Sequence, residues 1–152
     1  MIHYIHLRTS AQATEDPEKV RSALKLLLPP PGQSAKKDSI TVHETVTTGY
    51  HGNPIIIMEA ELKRNKDCQY VVDRIREHLG PAGISRLAAE LPQRVDNDCN
   101  LYIRFNKQEA YLGKLMTTTK SDSILVRIKI KAYPARPVKA IQIARSLLGE
   151  GE

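Results

Sequence analysis

Two periods of apolar residues alternate along this chain, and they divide it into strands and helices. Period two comes first. Across residues 2–13, Ile5, Leu7, Thr9, Ala11 and Ala13 fall on one side of an extended segment, because successive side chains of a strand point to opposite faces. Helical spacing follows, with Val20, Leu24, Leu27 and Leu28 in one apolar stripe behind the start TEDPEKV. There Thr14 or Asp16 can cap, Pro17 suits the first turn, and the acids complement the positive end of the helix dipole. Pro29-Pro30-Pro31-Gly32 stops this helix and opens a polar loop, expected to be flexible, over about residues 29–38. Period two returns over 40–46. The turn TGYHGNPI then carries Gly49, Gly52 and Asn53-Pro54 as breakers, and IIIMEAELK predicts a third strand. The unbroken run of Ile55, Ile56, Ile57 and Met58 suits a strand covered on both sides at that end.

The second half repeats the alternation. Asn65 is placed to cap a helix bearing Cys68, Val71, Val72, Ile75 and Leu79, which Gly80-Pro81 ends. A shorter helix carries Ile84, Leu87, Ala88 and Leu91. Leu101, Ile103 and Phe105 make one face of the next strand, with Tyr102 and Arg104 on the other. Asn106 stands three residues before Glu109, the spacing of a capping box, and Gly113 stands where a left-handed cap belongs. This predicts a short helix over 107–112. ILVRIKIKAY then alternates strictly: Ile124, Val126, Ile128 and Ile130 face inward, while Leu125, Arg127, Lys129 and Lys131 face the other way. Pro134 and Pro137 lead into a last helix with Val138, Ile141, Ala144 and Leu148. The order of elements predicts one α+β domain over residues 1–152, a mixed sheet with helices packed mainly on one face and the other face partly open.

Composition adds limits. At 152 residues and 41% apolar content the chain is long and apolar enough to bury a core without disulfides or metals. No run approaches the roughly 20 apolar residues that span a bilayer. The opening MIHYIHLRTSAQA lacks the basic and long apolar regions of a secretory signal. Cys68 and Cys99 stand alone, so reduced core thiols in a cytoplasmic protein are the expectation. Charge changes the picture more. Residues 1–98 balance 13 basic against 13 acidic side chains, whereas residues 99–152 hold 10 basic and 4 acidic, so the net +6 resides there. Arg127, Lys129, Lys131, Arg136, Lys139 and Arg145 lie in a stretch, 124–148, with no acid. Such a region attracts polyanions, nucleic acid first and an anionic membrane second, although a solvated basic face would leave the same trace.

Candidate binding chemistry centres on that stretch. Arg127, Lys129 and Lys131 share one side of a strand at a spacing of roughly 6.6 Å, comparable to successive phosphates of a nucleic-acid strand. If the preceding strand pairs nearby, Arg104 joins them and Tyr102 adds a ring for stacking. The start of the helix at 107 offers backbone N–H groups and Lys107 to a phosphate, or is merely capped by Asn106. His51 sits in a glycine-rich turn, yet no second His or carboxylate lies at ligand spacing, so neither a metal site nor a cofactor is expected. There is no nucleophile elbow, P-loop or HExxH, and the acids are not clustered as two-metal chemistry requires; the expectation is a protein without catalytic activity.

Three stretches, TEDPEKVRSAL, GYHGNPI and LYIRFNKQEAYLGKL, in this order resemble an archaeal family described as RNA-binding proteins or predicted exosome subunits. With the strands between them, the resemblance covers nearly the whole chain. It implies a ribosomal protein L5-like fold, RNA binding, and association with an exosome or other RNA-processing proteins. By position, the family's motif residues are His51, Gly52, Asn53 and Pro54, then Arg104, Lys107, Gln108 and Gly113. The family more often has Asp where Asn106 stands, and no catalytic residue is carried over. The expected RNA surface therefore joins Arg127, Lys129, Lys131, Arg104, Tyr102 and Lys107 with a polar loop at His51 and Asn53. The alternative is a subunit whose basic face docks an acidic partner protein.

Overall fold

In a computed structural model that describes residues 1–30, 40–49 and 51–149, the period-two segments are strands and the stripes are helices. Strands β1 (Ile2–Ala11), β2 (His43–Thr48), β3 (Pro54–Leu62), β4 (Asn100–Phe105) and β5 (Ile124–Ile130) form one sheet in the order β2-β3-β1-β5-β4. Helices α1 (Pro17–Lys25), α2 (Asn65–Ala89), α3 (Leu91–Arg94), α4 (Lys107–Tyr111) and α5 (Pro137–Leu147) connect or follow them. The fold is α+β. The sheet, however, is antiparallel at every pairing rather than mixed. The reason is the strand order: β1, β2 and β4 run the same way, but β3 or β5 always lies between them.

One face of this sheet makes the core. Ile5, Leu7, Thr9 and Ala11 of β1 are buried, as are Leu101, Ile103 and Phe105 of β4 and Ile124, Val126, Ile128 and Ile130 of β5. Val71, Val72 and Ile75 of α2 and Ala140 and Ala144 of α5 belong to the same apolar cluster. Each fully buried Leu, Ile or Phe contributes about 1.5–3 kcal/mol by leaving water. Cys68 and Cys99 are free thiols in this interior. Burial first, and the charge of Asp67 second, push the Cys68 thiol up to about 11, so it stays protonated at neutral pH. Among the described residues no helix is long and apolar enough to cross a membrane.

Local signals explain most boundaries. Asp16 caps α1 by accepting from the Glu18 N–H at 3.0 Å, with Pro17 in the first turn. Leu27 and Leu28 stay buried beyond the helix end. The loop expected over 29–38 lies outside the described residues except for Pro29 and Pro30. The helix of Cys68 and the shorter helix of Ile84 meet end to end in α2, which breaks at Gly80 (φ 65°, ψ 177°) before Pro81. Asn65 does not cap it; Arg64 occupies the cap position and no side chain bonds there. The Ile55–Ile57 run is half-buried rather than covered on both sides, and every residue of its neighbour β2 is exposed. Asn106 accepts from the Glu109 N–H at 3.0 Å, but its own N–H donates to the Met116 carbonyl at 2.9 Å. Half of the expected capping box is thus replaced by a backbone bond.

Candidate functional site

The face of the sheet turned away from the helices carries the even-numbered residues of β1 from Tyr4 onward, those of β4, and the odd-numbered residues of β5. Strand register sorts them into rows. Tyr4, Lys129 and Asn100 share one row; His6, Arg127 and Tyr102 the next; Arg8, Leu125 and Arg104 the third. Four cations therefore lie on three adjacent strands. This face is not purely basic. Across β1, Glu61 pairs with His6 and Glu59 with Arg8, so two carboxylates border the cations on the β3 side. The Nε2 of His6 and the Oε2 of Glu59 are 2.9 Å apart.

Each cation is held differently. The Arg127 guanidinium lies 5.8 Å from the centroid of the Tyr4 ring, a cation–π distance, and its buried Nε has no hydrogen-bond partner among the described residues. Lys129 Nζ donates to the carbonyl of Asp98. Arg104 Nη1 donates to the Ser121 carbonyl and the Ser123 hydroxyl, both at 3.2 Å. The Arg8 side chain makes no hydrogen bond or ion pair among the described residues. Lys131 lies one residue past the end of β5, exposed, its backbone N–H donating to the Met1 carbonyl at 2.8 Å.

Tyr102 is half-buried, and its hydroxyl donates to Asp96 Oδ2 at 2.9 Å. Burial, and then this bond to a carboxylate, raise the tyrosine above its ordinary range. Asp96 shows the opposite balance. Burial alone would raise its carboxyl, but hydrogen bonds from the Asn100 backbone and side chain, the Tyr102 hydroxyl and the Asp98 N–H hold it below the usual value. The Asp96–Asp98 turn thus fixes the Tyr102 ring at the edge of the sheet.

Two parts of the expected surface lie elsewhere. Lys107 is 8% exposed. Its ammonium bonds the Ser10 carbonyl and Glu15 at 2.8 Å and Asp122 at 2.7 Å, which ties α4 to the end of β1 instead of presenting a free cation. His51 and Asn53 are exposed in the turn between β2 and β3, closed by Gly49 N–H donating to the Asn53 carbonyl at 2.7 Å. This turn stands at the Ala11 end of the sheet, whereas Lys129 pairs with Tyr4 at the other; the two ends are separated by about 23 Å at roughly 3.3 Å per residue. The structure thus brings together Arg127, Lys129, Arg104 and Tyr102, and leaves Lys107, His51 and Asn53 apart from them. It also adds Arg8, whose signal was present: it is two residues from His6 and opposite in phase to the inward Leu7 and Thr9. Among the described residues no three His, Cys, Asp or Glu side chains converge as a metal site requires.

Comparison with known proteins agrees with this architecture. Residues 4–130 match the model of a protein family described as RNA binding. The chain is 38% identical over 150 residues to an RNA-binding protein of Pyrococcus abyssi, covering 99% of this chain and 95% of the relative. It is 30% identical over 136 residues to an uncharacterized protein of Methanocaldococcus jannaschii, covering 88% and 87%. The solved structure of a DUF54 protein from Methanothermobacter thermautotrophicus superimposes with a TM-score of 0.77 at 30% identity, covering 97% of this chain and 98% of the other.

Proposed function

The chain belongs to the RNA-binding family, and from that premise we propose that it is a non-catalytic RNA-binding protein that holds phosphates on the outer face of its sheet. The observation that carries this reading is the set of rows formed by Arg8 with Arg104, Arg127 and Lys129 on three adjacent strands, with the helices on the other face. Arg127 and Lys129 are two residues apart on β5, roughly 6.6 Å, a step that suits successive phosphates. Lys131 continues the series beyond the strand. Tyr102, with Arg127 beside it in register, offers a ring on which bases stack. His51 and Asn53 enter this reading as a separate polar contact at the far end of the sheet, and Lys107 as the residue that positions α4.

Two finer parts of the proposal rest on family resemblance: an accessory role in RNA processing or degradation, in company with an exosome, and kinship of the fold with ribosomal protein L5. The test of the binding reading is affinity for a labelled single-stranded RNA and an RNA duplex across a salt series. Wild type is compared with the variant Arg127→Ser, Lys129→Ser, Lys131→Ser. Wild-type affinity should fall linearly with log salt, and the variant's slope should be shallower by about two units, at roughly 0.7–0.9 per lost phosphate contact. Absence of RNA binding by wild type at low salt would overturn the reading.

A further inference from the structure

We propose that the depression between Arg8 and Arg104 is a pocket for one nucleotide of single-stranded RNA, with the base on Leu125 and Ile57 and a phosphate between the two guanidiniums. This deepens the RNA-binding reading and rests on it. Register places Arg8 and Arg104 on either side of Leu125, on the two strands flanking β5. At about 4.8 Å between strands their Cα atoms stand roughly 10 Å apart, a span over which two arginine side chains reach one phosphate. The depression has a volume of about 370 Å³, within the range of small-ligand sites, and Thr47 and Ser123 complete its wall.

Three features distinguish it from a diffuse patch of charge. First, its floor is apolar. Leu125 precedes the outward cations Arg127 and Lys129 on β5, and Ile57 faces the same side one row further along β3 and β1. A backbone-tracking surface has no use for aliphatic side chains there, whereas the flat face of a base does. Second, the guanidiniums are prepared differently. Arg104 is held at one nitrogen by Ser121 and Ser123, and its remaining donors have no partner among the described residues. Third, the carboxylate that would neutralise Arg8 is occupied: Glu59 lies opposite Arg8 in register yet bonds His6 at 2.9 Å. An unpaired arginine, an anchored arginine and an apolar floor together match the anionic and planar halves of a nucleotide.

The experiment is a titration of methyl-labelled protein with adenosine 5′-monophosphate, followed by NMR, with inorganic phosphate as the second ligand. The nucleotide should shift the Leu125 and Ile57 methyl signals upfield and saturably, through the ring current of the base, and phosphate should not. Arg8→Gln should weaken the nucleotide at least fivefold. Leu125→Gln, which keeps the charge, should weaken single-stranded RNA severalfold without changing the salt slope. Silent methyls in a protein that still binds RNA overturn the pocket and leave the RNA reading standing. Equal methyl response to phosphate alone also overturns it, as a plain anion site. Methyl shifts with the nucleotide in a protein that binds no RNA support the pocket and remove the wider reading.

Discussion

Lys107 and Lys129 both follow or occupy a strand on the C-terminal half of the chain, and the protein uses them in opposite ways. Lys107 is buried, and its ammonium is shared among the Ser10 carbonyl, Glu15 and Asp122, which come from three other segments of the chain. Lys129 is half-exposed on the outer sheet face and touches one backbone carbonyl, with Arg127 in the next row. A buried cation needs its acids, since losing them leaves an uncompensated charge in low dielectric. A surface cation facing a polyanion is of use because its acids are absent. The difference teaches that charge along the chain counts both alike, and only burial and partners separate a strut from a contact.

Breaking that contrast produces the largest effect. Lys107→Met should destabilise the protein by about 3 kcal/mol in urea unfolding, since it strips the partner from the half-buried Ser10 carbonyl and Glu15 carboxylate, while RNA affinity of the folded variant stays unchanged. The reverse result, lost affinity at unchanged stability, would make Lys107 a contact after all. Next comes the Arg127→Ser, Lys129→Ser, Lys131→Ser variant, with the mirror image of that outcome. A slope change of two units corresponds to roughly a hundredfold weaker binding at 0.1 M salt, with stability within about 0.5 kcal/mol of wild type. Smaller still, Glu59→Gln removes an acid from the border of the cation rows. RNA affinity should rise about two- to threefold in dilute salt, and the gain should vanish near 1 M, where screening reaches about 3 Å.

The smallest effect concerns the edge that holds Tyr102. Asp96 has a folded carboxyl below its ordinary value, so its contribution to stability is present above the unfolded value near 4 and is lost as pH falls through the depressed folded value. Asp96→Asn should therefore flatten the acid side of the stability profile, below about pH 4, at a cost of about 1 kcal/mol at neutral pH. A variant that follows the wild-type acid profile would show that the turn's hydrogen bonds do not depend on the charge.

How much of this could be read beforehand follows from the distance over which each feature is encoded. The alternation of β5 places Ile124, Val126 and Ile128 in the core and Arg127 and Lys129 outside, because residues two apart suffice to state it. Asn106 as a cap and Gly80-Pro81 as a break are equally local. The outward position of Arg8 is no less local, since it alternates with the inward Leu7 and Thr9. The fate of Lys107 was not legible, since Glu15 and Asp122 reach it from either side through the folded chain. The same holds for Glu59 and Glu61, which border the cations only because β3 pairs with β1. Likewise, an apolar run such as Ile55–Ile57 does not state whether a helix will cover its second face.

The position of β1 at the centre of the sheet has a further consequence, for synthesis. Its residues are made before those of both neighbours, yet Leu7 must pair with Ala60 on one side and with Val126 on the other. At translation rates of about 5–20 residues per second, the second partner arrives roughly 6–25 s after the first strand is complete. During that interval the central strand has at least one open edge, and its pairing with β5 is among the most distant contacts the chain makes, the kind that folds slowly. The first strand of the sheet waits for the last.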